Sequence, residues 1–159
     1  MAQTEEQTYE LIQIKSNFEI RYYPPAMMAE YNSQGDSSSG FGSLFRYISG
    51  SNASGTKINM TTPVHMEKQD KGNSMAFVLP KKFNPENTPI PKENKVSVYQ
   101  AQGGYYASIL YSGFTNTSKE KKYTAVLIQN LKEEGIKITG SPRVLVYDAP
   151  YKFINRRNE

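Results

Sequence analysis

The stretch that decides the fold is GFGSLFRYISGSNASGTKINMTTPVHM, residues 40–66. Its first part places Phe41, Leu44, Phe45 and Ile48 at i, i+3, i+4 and i+7, one apolar stripe of a helix. A serine at 37–39 suits the start of that helix, and Gly50 suits its end. From Lys57 to Met66 the period changes to two. Ile58, Met60, Thr62, Val64 and Met66 share one face of a strand, and Asn59, Thr61, Pro63 and His65 share the other. Helix followed by strand is one half of an order that the rest of the chain repeats.

Upstream, Tyr9 to Ile14 and Phe18 to Tyr23 are rich in aromatic and β-branched residues, with Ser16-Asn17 as the turn between two strands. Pro24-Pro25 breaks the second run, Ala26 to Tyr31 resumes it, and residues 32–40 form a polar loop. Downstream, Gly72-Asn73 joins the decisive strand to Met75 to Leu79 as a hairpin. A crossover loop with Pro85, Pro89 and Pro91 follows. Val96 to Gln100 and Tyr105 to Tyr111 flank Gly103-Gly104, which reads as a second hairpin. Thr117 and Glu120 form a capping box, opening a helix whose stripe is Tyr123, Val126, Leu127 and Leu131 and which Gly135 closes. Ile136 to Thr139 and Arg143 to Tyr147 read as the last strands.

The helices are thus expected over 41–49 and 118–134. The same order of elements runs from about 9 to 79 and again from about 95 to 148, a structural duplication. Two amphipathic helices cannot cover this many strands on both faces. The reading is α+β: a distorted antiparallel barrel of two similar halves with the helices packed against it.

At 159 residues the chain is one domain, expected over 9–159, with residues 1–8 a flexible N-terminal segment. Cysteine is absent, which excludes disulfides, thiol catalysis, and cysteine-bound zinc or iron–sulfur clusters. A single histidine, His65, leaves no histidine pair for a metal. The net charge of +4 comes from bases spread along the chain, not gathered on one stripe, so nucleic acid is not the expected partner. No apolar run reaches the ~20 residues of a membrane span. The N-terminus lacks the basic and apolar blocks of a signal peptide, so the reading is cytoplasmic, and a secreted form with its signal removed would read the same.

Several stretches together resemble the SOUL/heme-binding protein family: EIRYYPP (19–25), GFGSLFRYISGSN (40–52), KINMTTPV (57–64), MAFVLP (75–80), YDAPY (147–151) and RRNE (156–159). They occur in that family's order and at its spacings, over nearly all of Tyr9 to Glu159. The resemblance implies a distorted β-barrel with two helices and affinity for heme or a related tetrapyrrole, with no enzyme activity required. It carries the family's proposed pocket onto Phe41 and Phe45 as apolar positions and Arg46 as a propionate partner. Near the C-terminus it adds Tyr151 as an apolar position and Lys152 as a basic one. The chemistry suits a porphyrin, a flat apolar plate for aromatic faces with two edge carboxylates for cations.

Each of these residues also has an ordinary structural role. Phe41 and Phe45 share a stripe with Leu44 and Ile48, so packing is their default, and a combined role leaves one edge for ligand. Arg46 and Lys152 are by default solvated charges. His65 is the candidate axial ligand by residue type, yet alternation turns it away from Val64 and Met66, which makes it a surface histidine. The functions weighed are a tetrapyrrole carrier, buffer or sensor, an enzyme that removes metal from a tetrapyrrole, and an interaction module resembling bacterial effector-binding domains.

Overall fold

The computed structural model describes residues 4–33, 40–69, 72–148 and 157–158. The chain first forms β1 (Glu5–Glu6), β2 (Glu10–Ile14), β3 (Glu19–Tyr23) and β4 (Ala26–Ser33). Helix α1 (Gly40–Ile48) is followed by β5 (Thr61–Thr62), β6 (Val64–Gln69) and β7 (Gly72–Val78). The second half comprises β8 (Val96–Ala101), β9 (Gly104–Ser108), β10 (Tyr111–Ser112), α2 (Thr117–Glu133), β11 (Val144–Val146) and β12 (Arg157–Asn158). Both helices fall where the apolar periodicity puts them, and strands, helix and strands recur in each half.

The class is α+β with antiparallel sheets, but the expected barrel does not form. One seven-stranded sheet runs β10-β12-β11-β6-β7-β4-β8, and a separate sheet runs β2-β3-β9. Among the described residues no ladder joins the two into a ring. The break lies at Pro24-Pro25, between β3 and β4, where two successive residues have no N–H to donate to a ladder. The returning chain breaks at the same level: β8 pairs with β4, and β9 pairs with β3.

Gly103-Gly104 is therefore a crossing point, and the expected hairpin between β8 and β9 is absent. Neither glycine adopts the left-handed conformation of a tight turn. Gly103 lacks a side chain for a different reason. A Cβ there would stand 2.5 Å from the Tyr22 hydroxyl and 3.0 Å from Pro25 Cδ, where the two bent paths approach each other. β6 and β7 do pair as a hairpin, but Gly72 and Asn73 are paired strand residues of β7, opposite Gln69 and Lys68, and not the link between the strands.

Four more local expectations change. Residues 1–8 read as flexible, yet β1 pairs in parallel with β5, and the Gln7 N–H donates to the Thr62 carbonyl at 2.8 Å. The strand expected from Lys57 is paired only from Thr61, and Pro63, without an N–H, separates β5 from β6. Thr61 is buried there, its hydroxyl donating to the Val78 carbonyl. Helix α2 is capped by Asn116, whose side chain accepts from the Lys119 N–H at 2.9 Å, so Thr117 is not the cap. Ile136 to Thr139 pair with no strand among the described residues.

The large sheet buries side chains on both faces. Register aligns Ala29, Phe77, Val64 and Val146 in one cross-strand row on the side that α1 covers. Helix α1 presses Leu44, Tyr47 and Ile48 into that side, with Met27, Ile58, Leu79 and Val96 in the same cluster. Each of the three contributes about 2 kcal/mol of burial. Met28, Ala76 and Val78 form a smaller cluster with alternate parity, on the opposite face. Helix α2 docks more lightly. Leu131 is its buried residue among those described, while Tyr123 stacks on Tyr111 with ring centroids 4.5 Å apart.

Candidate functional site

Consecutive helical residues turn by about 100°, so the face that α1 buries decides what its flanks show. Gly40, Ser43, Leu44, Tyr47 and Ile48 go inward. Phe41 and Phe45 are thereby left on one flank, 45% and 51% exposed, which is far more than a packing role alone needs. They lie one turn apart and face each other, with centroids 6.0 Å apart and ring planes within 15°. Phe41 also meets Phe77 edge-on at 5.6 Å, which anchors the pair to the sheet. Val64 and Val146 continue the Phe77 row across β6 and β11, and both are only partly buried. The outcome is an aromatic flank beside an apolar strip of sheet.

Arg46 is next to Phe45 in sequence but not in space. Its Nε donates to Glu93 Oε1 at 2.9 Å, and its second guanidinium nitrogen donates to Ser43 Oγ at 3.0 Å. Both partners lie away from the aromatic flank, because residues i and i+1 do not share a helix face. The hydrogen bond from Arg46 holds the Glu93 carboxyl below the usual carboxylate range, and the same bond raises the guanidinium.

Glu93 is itself well placed by the loop before β8. The Tyr47 hydroxyl donates to the Pro89 carbonyl at 2.6 Å, and the Ala53 N–H donates to the Ile90 carbonyl at 2.8 Å. Asn52, fully buried, ties the end of α1 to this region through Nδ2 bonds to the Tyr47 and Thr56 carbonyls at 3.0 and 2.8 Å. Burial pushes the Tyr47 hydroxyl up to about 12, so it stays a donor at any ordinary pH.

His65 does point away from Val64 and Met66, but it is not a surface histidine. Nε2 is 2.9 Å from Gln7 Oε1, and Nδ1 is buried with no hydrogen-bond partner among the described residues. Burial, aided by the nearby Arg143 charge, pulls its pKa down to about 4. Its parity puts it on the sheet face opposite Phe77 and α1. Phe41 and Phe45 are thus brought together, Arg46 is turned aside, and His65 is on the other side of the sheet. Tyr151 and Lys152 lie outside the described residues.

Sequence reasoning missed Glu93 and Gln7, since nothing local marks a loop glutamate or an N-terminal glutamine as a partner of distant residues. Val64 and Val146 were within reach, because strand alternation already placed Val64 with Met66.

The cavities nearby are small. One of about 140 Å³ is lined by Tyr31, Gly40, Met66, Met75, Glu120 and Val144, among others, and a second of about 110 Å³ lies by Pro24, Pro25 and Phe83. Both fall below the ~300 Å³ at which enclosed ligand sites usually begin. Among the described residues no three His, Asp or Glu side chains gather as a metal site, and no helix is long and apolar enough to cross a membrane.

The sequence profile described as SOUL heme-binding protein matches residues 4–159. The chain belongs to the SOUL heme-binding family. It is 27% identical over 158 residues to human heme-binding protein 2, covering 90% of this chain and 76% of that protein. Among solved structures, it resembles the EcmrR C-terminal domain with a TM-score of 0.63 at 12% identity, covering 94% of this chain and 93% of the other. A hydrolase from Listeria innocua gives 0.61, also at 12% identity, with 91% of each chain covered. At such identity these two likenesses speak for the fold alone. Membership of the SOUL family supports heme or tetrapyrrole binding at the level of the family, and the residues of α1 suit that group. Paired apolar rings match its plate, whereas His65 is not on their side to reach its metal.

Proposed function

We propose that this chain binds heme or a related tetrapyrrole as a carrier, buffer or sensor, on the aromatic flank of α1. The observation that carries the reading is the stacked, half-exposed Phe41–Phe45 pair, anchored by Phe77 beside the Val64–Val146 strip. A tetrapyrrole supplies a broad apolar face and, in its common forms, two edge carboxylates. The two rings give that face its contact area, the strip removes further apolar surface from water, and micromolar affinity corresponds to about −8 kcal/mol. Tyr151 and Lys152 complete the set by family resemblance. With His65 turned to Gln7, the reading invokes no strong protein ligand to a metal, which suits reversible holding better than catalysis at the metal.

The test is titration of the purified chain with hemin and with metal-free protoporphyrin, followed by the Soret band and by fluorescence quenching. Replacing Phe41 and Phe45 together by Ala removes about 2 kcal/mol of contact, roughly a thirtyfold weaker Kd. A folded double variant that binds as tightly as the parent refutes this location, and a parent that binds neither probe refutes the function.

A further inference from the structure

We infer that Lys68 is the cation that receives a ligand carboxylate at the α1 site, in place of Arg46. This inference rests on the tetrapyrrole reading above and names a specificity-determining residue for it. The two flanks of α1 decide which cation is in reach. Arg46 leans to Glu93, whose carbonyl accepts from the Val96 N–H at the start of β8. Phe41 instead meets Phe77 of β7, and the sheet order places β6 and β11 beyond β7, away from β8. The aromatic flank therefore opens over β6 and β11. Alternation puts Val64, Met66 and Lys68 of β6 on the face that carries Phe77, opposite Phe77, Met75 and Asn73 of β7. Along that face two apolar residues lead to an ammonium whose Cα is ~13 Å from that of Val64.

The cavity of about 140 Å³ joins the start of α1 to this cation: Gly40, the residue before Phe41, lines it together with Met66, Lys68, Val144 and Glu120. Lys68 is held at that rim, not loose. Its Nζ is 2.7 Å from Glu120 Oε2 and donates to Thr117 Oγ1 at 3.1 Å, both on α2. With these two partners among the described residues, one of its three N–H donors is left for a carboxylate, and the side chain is half exposed to meet one. Thr117 opens α2, so the positive end of that helix's dipole lies beside the ammonium and offsets part of the Glu120 charge. A plate laid on Phe41 and Phe45 and along Val64 and Met66 thus ends with its carboxylates at Lys68. The site reads its ligand at that edge and holds a diacid better than an esterified or decarboxylated tetrapyrrole.

The experiment titrates metal-free protoporphyrin IX and its dimethyl ester, by fluorescence quenching, into the parent, Lys68→Gln, Lys68→Arg and Arg46→Gln, with melting curves to verify the folds. The parent is expected to bind the diacid about three- to fivefold tighter than the ester, the range of one partly exposed charge pair. Lys68→Gln is expected to remove that preference by weakening the diacid and leaving the ester unmoved, and Lys68→Arg, which keeps the charge, to retain it. A parent without the preference, equal losses for both probes, or a preference that survives in Lys68→Gln overturns the inference, as does one that disappears with Arg46→Gln instead. Proximity is read separately from affinity. In the complex with the metal-free diacid, NMR contacts (NOEs) from the porphyrin to both the Phe41 ring and the Lys68 ε-methylene are expected, and contacts to Phe41 with none to Lys68 also overturn the inference. Absence of binding for both probes in every variant removes the tetrapyrrole reading itself, and this inference with it.

Discussion

Lowering the pH tests the burial of His65 directly. The neutral ring can donate from Nε2 to Gln7 Oε1, whereas the extra proton at Nδ1 would find no acceptor in its buried position. Arg143, which pairs with Glu67 at 3.5 Å, adds a like charge nearby. In the unfolded chain the ring titrates near 6.5, and in the folded chain at about 4. The folded value is the lower one, so as pH falls the unfolded state takes up the proton first. The stabilisation from a neutral His65 is thus complete above about pH 6.5 and drains away as pH falls toward 4. At about 1.4 kcal/mol per pH unit, that gap is about 3 kcal/mol. Urea denaturation of the parent and of His65→Gln from pH 7.5 to pH 4 isolates it, because glutamine stays neutral while all other groups titrate in both proteins. The parent is expected to lose about 3 kcal/mol relative to the variant across that window. With only one histidine in the chain, its ring signals in NMR give the midpoint without assignment work. Parallel stability profiles, or a midpoint near 6.5, would refute the argument that His65 is sealed beneath the N-terminal strand.

Asn52→Ala strips the bonds to the Tyr47 and Thr56 carbonyls and to the Thr56 N–H, leaving buried groups without partners, so a loss of about 3 kcal/mol is expected in chemical denaturation. Gly103→Ala drives a methyl against the Tyr22 hydroxyl and Pro25, and is expected to cost about 1–3 kcal/mol, with a lower melting temperature as the readout. A methyl accepted there at no cost would contradict the close crossing of the two bent paths. The Phe41/Phe45 double alanine variant keeps most of its stability, since both rings are about half exposed; a loss beyond about 3 kcal/mol in the same assay would mean that they are core residues.

The elements that are local in origin were legible in the residues themselves. The 3.6-residue stripes at Phe41 to Ile48 and Tyr123 to Leu131 mark the two helices, and Gly72 signals the β6–β7 hairpin without being its link, because these depend on neighbours three or four positions away. The two-half order and the family followed from motifs spread along the chain. So did the aromatic pair, since spacing by four puts Phe41 and Phe45 on one flank wherever the helix docks.

Only the tertiary structure decided what each of those faces meets. Whether the stripe of α1 is fully buried depends on how the helix rolls onto the sheet, and it rolls so that Tyr47 goes in and the two phenylalanines stay out. A Gly-Gly pair reads as a turn locally, yet Tyr22 and Pro25 make it a crossing, which closes no hairpin and leaves the β2-β3-β9 sheet separate from the seven-stranded one where a barrel was expected. Strand alternation correctly turned His65 from Val64, but exposure on that face was settled by Gln7, 58 positions earlier. Arg46 shows the same rule for charge. Its type and place on the helix were plain in the sequence, while its commitment to Glu93, 47 positions away, depends on a loop that long-range hydrogen bonds hold.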